Sequence, residues 1–280
     1  MSLGVVLVTG ASHGIGLATA EHLANNGYKV YATCRDPLKA DHLQKLSKRI
    51  ANISILPLDV TSEESVDKAI SEIFEKEGTI DVVVNNAGFG IYGPTEVHTI
   101  EESHKILDTN FLGVLRVNQA VVPIMREQRR GRIINIGSIA GSVPSKNLAI
   151  YSASKAALAS ITANDAHHLA KWNIKVCLVQ AGAVTTSFEF RTPSGSHFPK
   201  TKNPYSEVLA HNRKEWKQKM DGGQPPSEVA KVILKAIQSP EPDLWYQTSE
   251  VVENAMSGQY KDLTGKSQIP KSTIPILAKL

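Results

Sequence analysis

Tyr151-Ser152-Ala153-Ser154-Lys155, with Ser138 thirteen residues upstream, is where the side-chain chemistry of this chain concentrates. On a helix, Tyr151 and Lys155 stand at i and i+4, one above the other on one face. A phenol beside an ammonium is a device for moving a proton. The ordinary phenol pKa of about 10 is too high for acid–base work near neutrality, and an adjacent positive charge lowers it by favouring the phenolate. An amphipathic helix that merely carries a Tyr and a Lys has the same pattern, so the surrounding elements decide what the pair means.

The first of these elements is Thr9-Gly10-Ala11-Ser12-His13-Gly14-Ile15-Gly16, between a short apolar run and a helical one. Glycines at a strand-to-helix junction let the backbone approach a pyrophosphate, which then sits on free helix N–H groups and the positive dipole end. The spacing is G-x-x-x-G-x-G rather than G-x-G-x-x-G. Gly10, Ser12, His13, Gly14, Ile15 and Gly16 are the candidate cradle. The second strand ends Thr33-Cys34-Arg35-Asp36. An acid there would accept from the ribose 2′-OH of NAD, and an Arg would pair with the 2′-phosphate of NADP. Cys34 holds the usual acidic position and Arg35 follows it, with His13 as a further donor. Asp36 is the competing NAD acid, but Asp36-Pro37 resembles a helix start and the Arg fork suits a phosphate. The balance favours NADP(H) over NAD(H).

Positioning these groups calls for an α/β fold. Strand-like runs at Leu3–Thr9, Lys29–Thr33, Ile53–Leu58, Asp81–Asn85, Arg132–Ile136 and Lys175–Gln180 are short, apolar and bounded by turn residues. Helical candidates lie between them at Gly14–Asn26, Leu38–Ile50, Glu63–Glu77, Glu101–Gln128 and Tyr151–Trp172. That alternation predicts a doubly wound parallel sheet covered on both faces, the Rossmann arrangement. Residues 183–224 are richer in Pro, Ser, Lys and aromatics, with a helix expected at Tyr205–Met220, and are expected to form a substrate lid. A helix opening at Pro225-Pro226 and a last strand at Leu244–Gln247 follow. The expectation is one domain over residues 1–265 and a disordered tail over 266–280.

With 280 residues, 41% apolar and 21% charged, the composition is that of an ordinary soluble protein. A net charge of +4 suits an anionic small molecule and argues against nucleic acid. Cys34 and Cys177 lack disulfide or metal spacing, no metal site is expected, and no apolar stretch reaches the roughly 18 residues of a membrane helix. A reducing cytoplasm is the expected setting.

Taken together, these motifs resemble the classical short-chain dehydrogenase/reductase family over roughly residues 3 to 190. Beyond the glycine loop, Asp59-Val60 matches the pair bordering the adenine, and Asn85-Asn86-Ala87-Gly88 the motif closing strand four. Asn110, Ser138, Tyr151 and Lys155 match the catalytic tetrad in order and spacing. Gly182, Val184 and Thr186 match the nicotinamide contacts, although Ala181 stands where the family has Pro and His168 where many members carry Glu. Within the family, Val30–Asp36, Asn86–Pro94 and Pro242–Tyr246 are most similar to the 17-beta-hydroxysteroid and retinol dehydrogenases.

The resemblance implies an NADP(H)-linked oxidoreductase acting on lipophilic carbonyls or secondary alcohols, with reduction favoured. It implies that Tyr151 exchanges a proton with the substrate oxygen, Lys155 lowers its pKa and holds the nicotinamide ribose, Ser138 donates to the substrate, and Asn110 holds a water for proton supply. It also implies a homodimer or homotetramer built through the helices at 101–128 and 151–172. Leu158, Ile161 and Leu169 suit either that interface or the core. Phe188, Phe190, Phe198 and Tyr205 suit either a pocket or lid packing. Trp172 and Trp245 are expected in the core or an interface, and His22, His42, His98, His104, His167 and His211 on polar helix faces. A non-catalytic NADP(H)-binding sensor and an epimerase-type enzyme are the competing readings.

Overall fold

Among the described residues, seven short strands pair in parallel in the order β3-β2-β1-β4-β5-β6-β7. In this computed structural model, residues 2–143, 145–188 and 205–261 are described. The strands are β1 (Val5–Val8), β2 (Lys29–Cys34), β3 (Ile53–Pro57), β4 (Val82–Asn85), β5 (Gly131–Ser138), β6 (Ile174–Ala181) and β7 (Trp245–Gln247). The helices are α1 (Gly14–Asn25), α2 (Asp41–Arg49), α3 (Glu63–Glu77), α4 (Ile100–Leu107), α5 (Gly113–Gln128), α6 (Ala149–Leu169), α7 (Ser206–Asp221), α8 (Pro226–Gln238) and α9 (Glu250–Lys261).

Strand alternation sends Val6, Val8, Val82 and Val84 to one face, where they pack with Leu23 of α1, Leu43 of α2 and Ile233 of α8. Val5, Leu7 and Val83 face the other way, onto Val66 and Ile70 of α3 and Val117 and Val121 of α5. Two cores on one sheet are the doubly wound arrangement, and it makes β1 a continuous and β4 a nearly continuous apolar run. The strand order reverses at β1, which lies between β2 and β4. In open parallel sheets the crevice at the carboxyl ends of the strands beside that reversal is where ligands bind.

Several element ends follow from capping. The Ser62 side chain accepts from Ser65 N–H at 3.2 Å, and Gly78 closes α3 with φ +68°, so α3 keeps its expected bounds. The helix expected at 38–50 begins only at Asp41, because Asp36 accepts from Leu38 N–H and makes Pro37–Lys39 a short 3-10 turn. The helix expected at 101–128 divides into α4, a π turn over Asp108–Leu112, and α5. Thr99 and Glu102 start α4 with reciprocal hydrogen bonds, a capping box. Beyond Thr248, where no element is expected from the sequence, α9 forms and buries Val252 and Met256.

Other expectations resolve individually. Leu158 and Leu169 are buried within the protomer, which assigns them to the core rather than to an interface. Trp172 and Trp245 pack against core clusters. His98 is buried, not on a polar helix face, because its Nε2 bonds the Gly93 carbonyl at 2.9 Å. His104, His167, His168 and His211 are exposed. Phe190, Phe198, the rest of the lid between 189 and 204, and the tail 266–280 lie outside the described residues. Among the described residues no helix is long and apolar enough to cross a membrane, and no cluster of His, Cys, Asp or Glu could hold a metal ion.

Candidate active site

A cavity of about 440 Å³ opens along the carboxyl ends of the strands, at the reversal in strand order. The glycine loop forms its floor. Gly10 adopts φ +67°, and a Cβ there would stand 2.8 Å from Ala87 Cα. A Cβ on Gly16 would stand 2.5 Å from both Asn86 Nδ2 and the Gly10 carbonyl. Side chains at these two positions would fill the space that keeps the loop tight, so the sequence leaves them bare. Thr9 latches the loop to the end of β4: its Oγ1 accepts from Asn86 N–H (3.0 Å) and Ala87 N–H (3.1 Å). Asn86 returns its Nδ2 to the Thr9 and Gly10 carbonyls at 2.9 and 3.0 Å. Leu17 N–H bonds the His13 carbonyl at 3.3 Å, so the amides of Gly14, Ile15 and Gly16 before it are the unpaired donors of a helix start. A bare cradle ending on helix amides fits the pyrophosphate of a dinucleotide.

One end of the cavity carries Cys34, Arg35, Asp59 and Val60. Asp36 is not part of its lining: its carboxylate accepts from Leu38 N–H at 3.1 Å and pairs with Lys39 at 2.8 Å. Arg35 is exposed at the rim, with no ion pair among the described residues. Ser12 and His13 line the wall between, joined by a 2.7 Å bond from Ser12 Oγ to His13 Nδ1. Gly182, Val184 and Thr186 come in from the end of β6.

Ser138, Tyr151 and Lys155 meet further along the same cavity. Ser138 ends β5, and its Oγ accepts from Ala140 N–H at 3.1 Å, which leaves its proton to give. Burial pushes the Tyr151 phenol up to about 12, against a smaller lowering influence from the nearby Ser138 hydroxyl. Burial also pushes the Lys155 ammonium down to about 8. The sequence-based expectation, a phenol lowered by its lysine, differs because Lys155 Nζ donates to the Ile136 carbonyl at 2.7 Å and lies 5.9 Å from the phenol ring centre. Both side chains are taken from water, and each is driven toward its neutral form.

Asn110 and Gly16 stand behind the cavity wall rather than in it. The Asn110 carboxamide accepts from Phe89 N–H (3.0 Å) and donates to the Phe89 carbonyl (2.9 Å) and to Ser154 Oγ (3.0 Å). Ser154 then donates to the Tyr151 carbonyl at 2.7 Å. Asn110 therefore fastens the segment following β4 to α6, and both its N–H donors are used in doing so.

Phe188, Trp216 and Met220 close the end beyond Tyr151. Phe188 meets the Tyr151 ring edge-on at 5.5 Å. Tyr205 is not in the wall; its hydroxyl bonds Glu96. Trp216, Met220 and Thr109 also line the cavity, and sequence reasoning passed over them. The i, i+4 spacing of Trp216 and Met220 on the charged C-terminal half of α7 was the available signal, since an apolar pair on one face of such a segment covers something.

The family model described as short chain dehydrogenase matches residues 4–194. A 3-ketodihydrosphingosine reductase of Bacteroides thetaiotaomicron is 42% identical over 184 residues, 66% of this chain and 65% of that protein, so the matched part spans less than two thirds of that relative. Human 17-beta-hydroxysteroid dehydrogenase type 1 is 34% identical over 89% of this chain and 79% of its own length. Human retinol dehydrogenase 8 is 36% identical over 87% and 81% respectively. Among solved structures, a closed form of serine dehydrogenase complexed with NADP+ superposes with a TM-score of 0.74 at 26% identity, over 87% of this chain and 93% of that one. The sheet order, the bare phosphate cradle and these matches agree: the chain belongs to the short-chain dehydrogenase/reductase family, in the branch of the 17-beta-hydroxysteroid and retinol dehydrogenases.

Proposed function

We propose that this oxidoreductase is an NADP(H)-dependent reductase of lipophilic ketones or aldehydes, able to run in reverse on secondary alcohols. The observation that carries the reading is a buried Tyr151 phenol beside Ser138 and Lys155, in one cavity with Arg35. A reduced dinucleotide held through its pyrophosphate by the cradle would supply the hydride. Tyr151 gives its phenolic proton to the substrate oxygen, a step for which a phenol held up near 12 is correctly protonated at pH 7. Ser138 donates to the same oxygen and stabilises the negative charge that grows there. Lys155, still mostly cationic at pH 7 with a pKa of about 8, stabilises the phenolate left behind and holds the ribose hydroxyls. Asn110 keeps Phe89 and Tyr151 in register, and its expected role in proton supply through a water belongs to this proposal.

Arg35 supports the choice of NADP(H), because a guanidinium at the rim suits a 2′-phosphate and the neighbouring carboxylate, Asp36, is spent on Leu38 and Lys39. The NADP+ complex of the structural neighbour agrees with it. Phe188, Trp216 and Met220 support a lipophilic substrate, as do relatives named for sphingoid, steroid and retinoid substrates. Assembly as a homodimer or homotetramer through α4, α5 and α6, in a reducing cytoplasm, completes the reading. Two buried free thiols, Cys34 and Cys177, are consistent with that compartment.

The test is the decay of NADPH absorbance with a panel of long-chain, steroidal and retinoid carbonyls, repeated with NADH. The reading predicts turnover on apolar carbonyls and a preference for NADPH. Tight NADPH binding with no turnover on any of them would instead support a nucleotide sensor.

A further inference from the structure

A helix widened by one residue needs something to hold it, and the π turn Asp108–Leu112 is held by Arg116. Gly113 N–H reaches the Asp108 carbonyl, the i to i+5 bond of such a turn. Arg116 lies one turn further on, in α5, and sets one terminal nitrogen 2.7 Å from the Asp108 carboxylate. Its other terminal nitrogen donates to the Val60 carbonyl at 3.2 Å and lies 3.5 Å from the Asp108 carbonyl. The Arg116 side chain is only 19% exposed, so this is an inward-facing brace and not a surface pair. Gly113 lets the two segments meet: a Cβ there would stand 2.8 Å from Val60 Cγ2.

The braced turn connects to both ends of the cavity. Val60, Thr61 and Thr109 line the end that carries Arg35. Asn110, the next residue of the turn, grips Phe89 and, through Ser154, the Tyr151 backbone. Bonds therefore run without a gap from the Val60 carbonyl to the catalytic helix, and Arg116 is the only side chain in them that touches both Val60 and the turn.

We propose that Arg116 is a positioning residue for this site: it locks the widened turn so that Asn110 holds Phe89 and Tyr151 in register, while pinning Val60 at the nucleotide end. Its effect on turnover rests on the reductase reading above; its effect on the Phe89 backbone does not. A lysine does not replace it, because one ammonium lacks the planar fork that meets a carboxylate and two carbonyls at once.

The experiment compares full-length wild type with Arg116→Met, Arg116→Lys and Asp108→Asn by residue-resolved amide hydrogen exchange, thermal melting, NADPH titration and steady-state kinetics. The Phe89 amide, which donates to Asn110, is expected to exchange about tenfold faster or more in both Arg116 variants, while β1 and β5 amides keep their protection. The kcat is expected to fall about tenfold or more with KM for the carbonyl little changed, NADPH is expected to bind several-fold more weakly, and Lys is not expected to restore either. Asp108→Asn, which keeps the side-chain shape, is expected to move every readout the same way by less. Unchanged Phe89 exchange in all three variants would overturn the proposal. Uniformly faster exchange across the sheet with a lowered Tm would also overturn it, by reducing Arg116 to a stabilising residue. If wild type reduces no carbonyl, the reductase reading fails and Phe89 exchange still decides the brace.

Discussion

Lys155 follows Tyr151 by one helical turn, yet its ammonium donates to the Ile136 carbonyl at 2.7 Å and lies 5.9 Å from the centre of the phenol ring. Both groups are buried and both resist ionisation, the phenol at about 12 and the ammonium at about 8. In the proposed reduction the acid is thus already protonated.

This arrangement costs stability, and the cost depends on pH. The Lys155 pKa falls from 10.5 to about 8 on folding, so below 8 both states are protonated and the folded protein carries the whole burial penalty. Between about 8 and 10.5 the unfolded chain binds more protons, so folding stability rises with pH and the penalty fades. Lys155→Met should therefore be more stable than wild type at pH 7, on the order of 1–3 kcal/mol, in the absence of nucleotide. Urea unfolding at pH 7 and pH 9.5 checks this; the gap should narrow at the higher pH, and a variant no more stable at pH 7 would contradict it.

Arg35→Ser should separate the two nucleotides. Loss of a charge-assisted pair with a 2′-phosphate should weaken NADPH about tenfold or more, with NADH binding nearly unchanged. Fluorescence titration of both cofactors measures the ratio. Equal loss for both would assign Arg35 to the loop's structure instead.

Trp216→Ala should act on the substrate alone. The lost apolar contact is worth about 1.5–3 kcal/mol, so KM for lipophilic carbonyls should rise roughly 10- to 150-fold while kcat and NADPH binding hold. A fall in kcat with constant KM would move Trp216 from the binding wall to the chemistry.

Much of this was legible in the sequence because parallel strands buried on both faces must be apolar throughout, and a phosphate cradle must be bare. Gly10 and Gly16 reveal themselves by type, since no other residue fits against Ala87 and Asn86. The π turn was not legible: residues 101–128 keep a helical apolar period, and the widening depends on Arg116 reaching Asp108 and Val60, a contact between segments distant in sequence. The phenol's upward shift was missed for a related reason. Spacing brings Lys155 to the same helix face as Tyr151, but only the packed structure reveals that both are buried and that the lysine turns to Ile136. His98 looked like a surface residue because its partner, the Gly93 carbonyl, is backbone and leaves no mark in side-chain types.

The central claim is that Tyr151 is the proton donor of an NADPH-linked carbonyl reduction. Steady-state kcat for Tyr151→Phe, measured beside wild type on the best carbonyl with NADPH affinity determined in parallel, tests it most directly. The account predicts a kcat lower by about 10²–10⁴ with NADPH bound almost as tightly. A Tyr151→Phe enzyme that turns over at the wild-type rate would contradict it.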